Sequence, residues 1–301
     1  MQPRSCNLSC LGPEGFHRIR YWEWGPEDAL QTVICVHGLT RNGRDFDDLA
    51  KVLAERGWRV VCPDIVGRGE SDWLSFHTGY DFNTYISDMS QLIARLGGGS
   101  LYWVGTSMGG IIGQMIAAAS HAPIKRMVLN DIGPFLDVAG LARIKGYVGT
   151  DPSFPSFELA ERAINAVTDK FGPMDQAQRK RFVEVSIRKR SNGAFTMNYD
   201  PQIAWAFKEN EPQSVDMWHI WPLINCPVLV LRGADSDLLS VSTSQRMQAE
   251  GPKAKEFVID GVGHAPALMS NEEISRIIEF YYSSAHPVPF QNIVCLFFRK
   301  R

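Results

Sequence analysis

Leu101-Tyr-Trp-Val-Gly-Thr-Ser-Met-Gly-Gly-Ile-Ile-Gly113 is the stretch whose reading decides the fold. Four strand formers run into Gly105-Thr106-Ser107-Met108-Gly109, and an apolar segment rich in Gly and Ala continues as a helix. A G-x-S-x-G pentapeptide between a strand and a helix is a nucleophile elbow, a sharp turn that presents a serine hydroxyl above the sheet. The glycines have a steric role, because a strand and a helix joined by so tight a turn cannot approach closely around Cβ atoms. Ser107 then stands at the C-terminal edge of a sheet and at a helix N-terminus, where the helix dipole favours developing negative charge.

Outward from the elbow, apolar strands alternate with amphipathic helices. Residues 16–24 alternate as an N-terminal strand or hairpin, and residues 32–36 form a continuous apolar strand ending in His37-Gly38-Leu39. Phe46, Leu49, Val52 and Leu53 have helical spacing. Residues 59–62 are a short strand that runs into Pro63-Asp64 and the glycine loop Gly67-Arg68-Gly69. A helix over 85–96 is stopped by Gly97-Gly-Gly99, and the strand over 126–130 carries Asp131 at its C-terminal end. From about 134 to 227 the alternation gives way to helical segments, clearest at 141–147, 157–171 and 176–190. Strand logic resumes at 227–232, followed by Gly233-Ala-Asp-Ser-Asp237, a helix over 242–250, a strand over 254–259, Gly261-Val-Gly-His264 and a helix over 271–283.

Repeated βα units with wholly apolar strands predict an α/β fold, a mostly parallel sheet covered by helices on both faces. The expected organisation is a core from residues 1–133 and 226–285, a helical cap from 134–225, and a C-terminal tail from 286–301. The cap would lie over the C-terminal edge of the sheet, where open α/β sheets bind ligands. A packed or frayed end is the plain reading of the tail.

Composition narrows the class. A hydrophobic content of 45% with 21% charged residues is that of a soluble globular chain, and a formal charge of −2 gives no reason to expect nucleic acid or an anionic membrane as partner. No apolar run reaches the length of a membrane span, and Met1-Gln-Pro-Arg-Ser-Cys lacks a signal-peptide core, so a cytoplasmic location is the default expectation. Cys35, Cys62 and Cys226 lie in or beside apolar strands and read as buried free thiols; Cys6 and Cys10 stay unassigned.

Candidate polar groups stand at the strand ends in the order Ser107, Asp237, His264. A serine hydroxyl is a weak nucleophile until an imidazole takes its proton, and a carboxylate holds that imidazole in the right tautomer. Two backbone donors aimed at one point would stabilise an oxyanion: the N–H of Met108 and, most simply, that of Leu39. His37 and Gly38 then shape the turn.

Across roughly residues 15 to 284 the sequence resembles the α/β-hydrolase fold enzymes. The matching motifs are His37-Gly38, Asp64 with Gly67-x-Gly69-x-Ser71, Gly105-x-Ser107-x-Gly109, the 233–237 segment and Gly263-His264. Within the family it looks like the capped esterase/lipase-like group, which implies cofactor-free hydrolysis of a small ester. The family's usual acid position, three residues after the strand-end glycine, is Ser236 here, flanked by Asp235 and Asp237. Asp237 is the preferred acid because its polar loop can reach His264, with Asp235 and Asp131 as alternatives. Asp131, in Asn130-Asp-Ile-Gly-Pro134, could instead cap the turn into the cap.

Other readings carry less. Gly38-x-x-x-x-Gly43 follows a strand, but Arg44-Asp45 replaces the Lys-Ser/Thr of a P-loop. No His-Glu-x-x-His occurs, so no metal is expected. A serine nucleophile argues against epoxide hydrolases and haloalkane dehalogenases. The basic stretch 179–190 reads as a solvated helix face, or as a means of steering an anionic substrate. The favoured function is hydrolysis of a small carboxylic ester through an acyl-enzyme. A carbon–carbon bond hydrolase acting on diketones with the same triad, and a non-catalytic receptor on the same fold, are the alternatives. Phe135, Tyr147, Trp205 and Trp218 are the expected aromatic walls of the substrate pocket.

Overall fold

The computed structural model describes residues 1–283; the tail expected over 286–301 lies outside them. Eight strands form one sheet: β1 (Arg4–Gly12), β2 (Gly15–Trp24), β3 (Gln31–Val36), β4 (Arg59–Pro63), β5 (Ser100–Thr106), β6 (Ile124–Asn130), β7 (Val228–Gly233) and β8 (Lys255–Ile259). Their order is β1-β2-β4-β3-β5-β6-β7-β8. β1, β2 and β4 pair antiparallel, and every pairing from β4 to β8 is parallel. This is the α/β architecture expected from the apolar strands, with one addition. Residues 4–12, unread as a strand, form the outer arm of the N-terminal hairpin, with Cys10 opposite His17.

The central strands are apolar throughout because both faces are covered. Along β3, Val33 and Cys35 face one layer with α1 (Asp47–Ala54) and the C-terminal helix Asn271–Tyr282. Ile34 and Val36 face the other, with α2 (Phe82–Leu96) and α3 (Met108–Ala117). Helix α2 begins three residues before the apolar pattern does, because the Asp81 side chain accepts the Thr84 N–H and caps it. Cys6, Cys10, Cys35, Cys62 and Cys226 are all free.

Between β6 and β7 the chain leaves the sheet. Helices α4 (Val138–Lys145), α5 (Phe157–Thr168), α6 (Gln176–Ser186) and α7 (Trp205–Glu209) fill this insertion. The helix expected to run to 190 stops at Ser186; Ile187–Lys189 pairs with Phe195–Met197 as a small ribbon around Ser191-Asn192-Gly193. The insertion has its own core, in which Ala160, Ile164, Phe182, Val183 and Ile187 pack with Met269 from the sheet side. Among the described residues no helix is long and apolar enough to cross a membrane.

The junction between β5 and α3 leaves no room for side chains. A Cβ at Gly109 would lie 2.0 Å from the Val36 carbonyl oxygen, and one at Gly105 would lie 2.4 Å from the Gly109 carbonyl oxygen. Both obstacles are backbone, so neither can swing away. Gly109→Ala should therefore lower the melting temperature by roughly 5–10 °C, the cost of moving α3 off β3. Thermal unfolding followed by circular dichroism checks this; a melting temperature within 2 °C of wild type would show that the contact yields.

Candidate active site

Strand β5 delivers Ser107 to the C-terminal edge of the sheet with φ 51° and ψ −116°. A positive φ in a residue with a Cβ stores strain, which the surrounding backbone must hold in place. The Ser107 N–H donates to the Asn130 carbonyl at 3.1 Å, while the Ser107 carbonyl accepts from Gly110 and Ile111 and starts α3.

Ser107 Oγ lies 2.9 Å from His264 Nε2, and His264 Nδ1 lies 2.8 Å from Asp131 Oδ2. Asp131 follows β6, the strand between those that lead to Ser107 and to the 233–237 loop. Its carboxylate is fully buried and every visible contact is a donor. The Gly233 N–H donates to Oδ1 at 2.9 Å, and the Ser236 hydroxyl donates to Oδ2 at 2.5 Å. Ser236 Oγ in turn accepts from the Leu238 and Leu239 N–H groups, which leaves its own proton for Asp131. An imidazole whose Nδ1–H donates to a carboxylate presents a lone pair at Nε2, the atom facing the Ser107 hydroxyl.

The His264 loop is held by both halves of the molecule. Gly263 N–H donates to the Lys170 carbonyl and Ala267 N–H to the Phe171 carbonyl, both at 2.8 Å, and Asn130 Nδ2 donates to the Pro266 carbonyl.

The Leu39 and Met108 N–H groups have no hydrogen-bond partner among the described residues. The Leu39 turn is fixed from behind by His37, which is fully buried. Its Nδ1 lies 2.7 Å from the Gly38 carbonyl, and its Nε2 accepts the Ile65 N–H at 2.9 Å, so the ring is neutral and joins the turns after β3 and β4. Burial pushes the His37 imidazole down to about 3; the Gly38 carbonyl opposes this, and the Arg68 and Arg41 charges add to it.

A cavity of about 690 Å³ opens beside His264. Thr40, Arg41 and Gly263 line it from the sheet side, and Tyr147, Phe154, Ile164, Val167 and Tyr199 from the insertion.

The family model for the alpha/beta hydrolase fold matches residues 31–268. The 3-hydroxybutyrate-oligomer hydrolase of Cupriavidus necator is 38% identical over 288 residues, which is 93% of this chain and 98% of that protein. Among solved structures, a putative hydrolase from Rickettsia typhi superposes with a TM-score of 0.87 at 32% identity, covering 95% of this chain and all of that one. An alpha/beta hydrolase from Novosphingobium aromaticivorans gives 0.81 at 35% identity, covering 91% and 97%. The chain belongs to the alpha/beta hydrolase fold family. It is an α/β-hydrolase enzyme.

Against the sequence reading of this α/β-hydrolase, Ser107 and His264 meet and the preferred acid does not join them. Asp237 points away from His264 into a bidentate pair with Arg143 of α4, and Asp235 pairs with Lys170 at 3.2 Å. Only the middle residue of that loop, Ser236, faces inward, and it lands on Asp131. Nor does Asp131 cap the turn into the insertion, the alternative its sequence context allowed. Of the four aromatic walls expected, Tyr147 lines the cavity. Trp205 instead donates to the Tyr80 carbonyl, Trp218 packs on Arg246 and Trp221, and Phe135 sits in a two-residue pairing with Asp216. In the basic stretch, Arg181 pairs with Asp48 and Arg190 with Asp151.

One further titratable cluster, Cys10, His17 and Asp88, lies under the N-terminal hairpin. His17 Nε2 is within 3.0 Å of both Asp88 oxygens, and the Cys10 thiol also bonds Asp88, so the three close on one another.

The His37 shift has a measurable sign. The folded chain holds His37 at about 3, whereas an unfolded histidine titrates near about 6.5. Between those values the unfolded state binds the extra proton, so this stability is complete above about pH 6.5 and drains away toward about pH 3. Urea midpoints measured from pH 7 down to pH 4 should fall more steeply for wild type than for His37→Asn. Parallel slopes would contradict the assignment.

Proposed function

We propose that the chain is a serine esterase that cleaves short oligomers of 3-hydroxybutyrate or closely related hydroxyacyl esters through an acyl-enzyme. The observation that carries the chemistry is the hydrogen-bonded series Ser107 Oγ, His264, Asp131, closed at 2.9 and 2.8 Å beside a cavity. The substrate class rests on the near full-length similarity to the Cupriavidus enzyme.

In this reading the Ser107 oxygen attacks the ester carbonyl as its proton passes to His264 Nε2. Negative charge collects on the former carbonyl oxygen, where the Leu39 and Met108 N–H groups receive it. The tetrahedral intermediate collapses, the C–O bond to the alcohol breaks, and the imidazolium returns its proton to the departing oxygen. Water, deprotonated by His264, then attacks the acyl-enzyme, and Ser107 regains its proton as the acid leaves. Asp131 stays ionised throughout and holds the imidazolium that forms twice per turnover. Hydroxybutyrate units alternate ester groups with methyl-bearing carbon, which suits walls of Ile164, Val167 and Phe154 with a polar rim at Arg143 and Asp237.

The experiment is hydrolysis of the 3-hydroxybutyrate dimer and trimer, followed by chromatography of the released monomer, beside a chromogenic butyrate ester. Wild type should cleave all three. Ser107→Ala should lose about four to six orders of magnitude in kcat. Asp131→Asn should lose about three to four orders through the wrong histidine tautomer, while Asp237→Asn and Asp235→Asn should stay within about tenfold of wild type. Cleavage of the chromogenic ester alone would reject the substrate class. Collapse in Asp237→Asn with near-normal turnover in Asp131→Asn would reject the acid.

A further inference from the structure

The glycine loop between β4 and α2 carries a charge that the chemistry above does not use. Arg68 is completely buried, and among the described residues its guanidinium meets two carbonyls, a tyrosine hydroxyl and a thioether, with no carboxylate among its hydrogen-bond partners. Burying an unpaired cation takes away a large part of a domain's stability, so such a group survives where the surroundings gain from it. The loop is shaped to hold it. Gly67 and Gly69 have φ of 82° and 55°, and a Cβ on Gly67 would strike the Tyr80 ring at 2.5 Å.

Its contacts converge on the two residues whose N–H groups would bind the oxyanion. Arg68 Nε donates to the Leu39 carbonyl at 2.9 Å, and Nη2 lies 3.6 Å from Met108 Sδ. Nη1 donates to the Val66 carbonyl and to the Tyr85 hydroxyl, at 2.8 and 2.9 Å. The Tyr85 ring lies 4.9 Å from the guanidinium carbon and shares the charge through its π face. Nothing else described touches both Leu39 and Met108 through polar contacts. The charge is also felt in this turn, since Arg68 contributes to holding His37 neutral.

We propose that Arg68 is a positioning residue for the hydrolytic step: it ties Leu39 to Met108 and keeps a permanent positive charge behind their N–H groups. The inference rests on the Ser107 reading and adds to it. The guanidinium is sealed from the cavity and never meets substrate. Its field acts in a low-dielectric interior, where it favours the tetrahedral anion over the neutral ester. The ground state gains little, so the effect belongs in kcat and not in KM.

The test compares wild type with Arg68→Gln, Arg68→Met and Arg68→Lys on a chromogenic butyrate ester and on an alkyl boronic acid, which forms a tetrahedral anion on the serine. Folding is checked by circular dichroism. The neutral variants should lose about ten- to hundredfold in kcat with KM within about threefold, and boronate affinity should weaken by a similar factor. Arg68→Lys, which keeps the charge and breaks the fork, should fall between them and wild type. Neutral variants that fold and keep kcat and boronate affinity within twofold would overturn the inference, as would a lower kcat with unchanged boronate affinity. Should neither neutral variant fold, Arg68→Lys carries the test: a joint several-fold fall supports the proposal, and an unchanged boronate affinity overturns it. Wild type inert to both ester and boronate would overturn the Ser107 reading itself, and this inference with it. An active wild type with unaltered variants overturns the Arg68 inference alone.

Discussion

The backbone of α3 touches the backbone of β3. The Val36 carbonyl oxygen sits 2.0 Å from where a Cβ at residue 109 would be, and the rest of the site depends on that closeness. It forces the chain through a turn in which Ser107 takes a positive φ, and it brings the end of β3 beside the start of α3. The same packing sets the turn before Leu39 against the elbow: a Cβ at Gly38 would lie 3.7 Å from Ser107 Cβ. His37 and Arg68, both fully buried, hold the Leu39 side of this arrangement, one by linking two turns and the other by bonding the Leu39 carbonyl.

A second constraint is the burial of Asp131. A carboxylate with no exposure needs hydrogen-bond donors around it, and here the Gly233 N–H, the Ser236 hydroxyl and His264 supply them. Gly233 serves twice, since a Cβ there would also strike the Val262 carbonyl, on the loop that carries His264. Asp131, His264 and the 233–237 turn thus form one packed unit at the ends of β6, β7 and β8. The insertion completes it by accepting hydrogen bonds from Gly263 and Ala267.

What could be read from the sequence divides along physical lines. The elbow was legible because its requirement is local: glycine on both sides of the serine is a statement about backbone distances. The core helices and central strands were legible because apolar periodicity reports burial directly. The acid was not. Asp131 and Asp237 both follow strands, and what separates them is which side chain of a three-residue turn faces inward. That is settled by Arg143 and Lys170, cations on the insertion which draw Asp237 and Asp235 outward, some 65 to 95 residues away in sequence. The polar serine at the family's usual acid position was the one available signal, since a hydroxyl there can support a carboxylate standing one strand over. Residues 4–12 were missed because a partly exposed edge strand mixes Ser and Asn with Cys and Leu, and only the alternation of Cys6, Leu8 and Cys10 marks it. The pocket aromatics failed for a similar reason: Trp205 and Trp218 are spent on packing the insertion against its surroundings.

In the proposed mechanism Ser107 is served by Leu39 and Met108 on one side and by His264 on Asp131 on the other. A crystal structure of the enzyme after reaction with an alkyl fluorophosphonate tests it directly. Phosphorus should be bonded to Ser107 Oγ, with the phosphonyl oxygen about 2.7–3.1 Å from both the Leu39 and Met108 nitrogens and His264 Nδ1 still on Asp131. An adduct on another residue, a phosphonyl oxygen turned away from those two nitrogens, or His264 paired with Asp237 would contradict it.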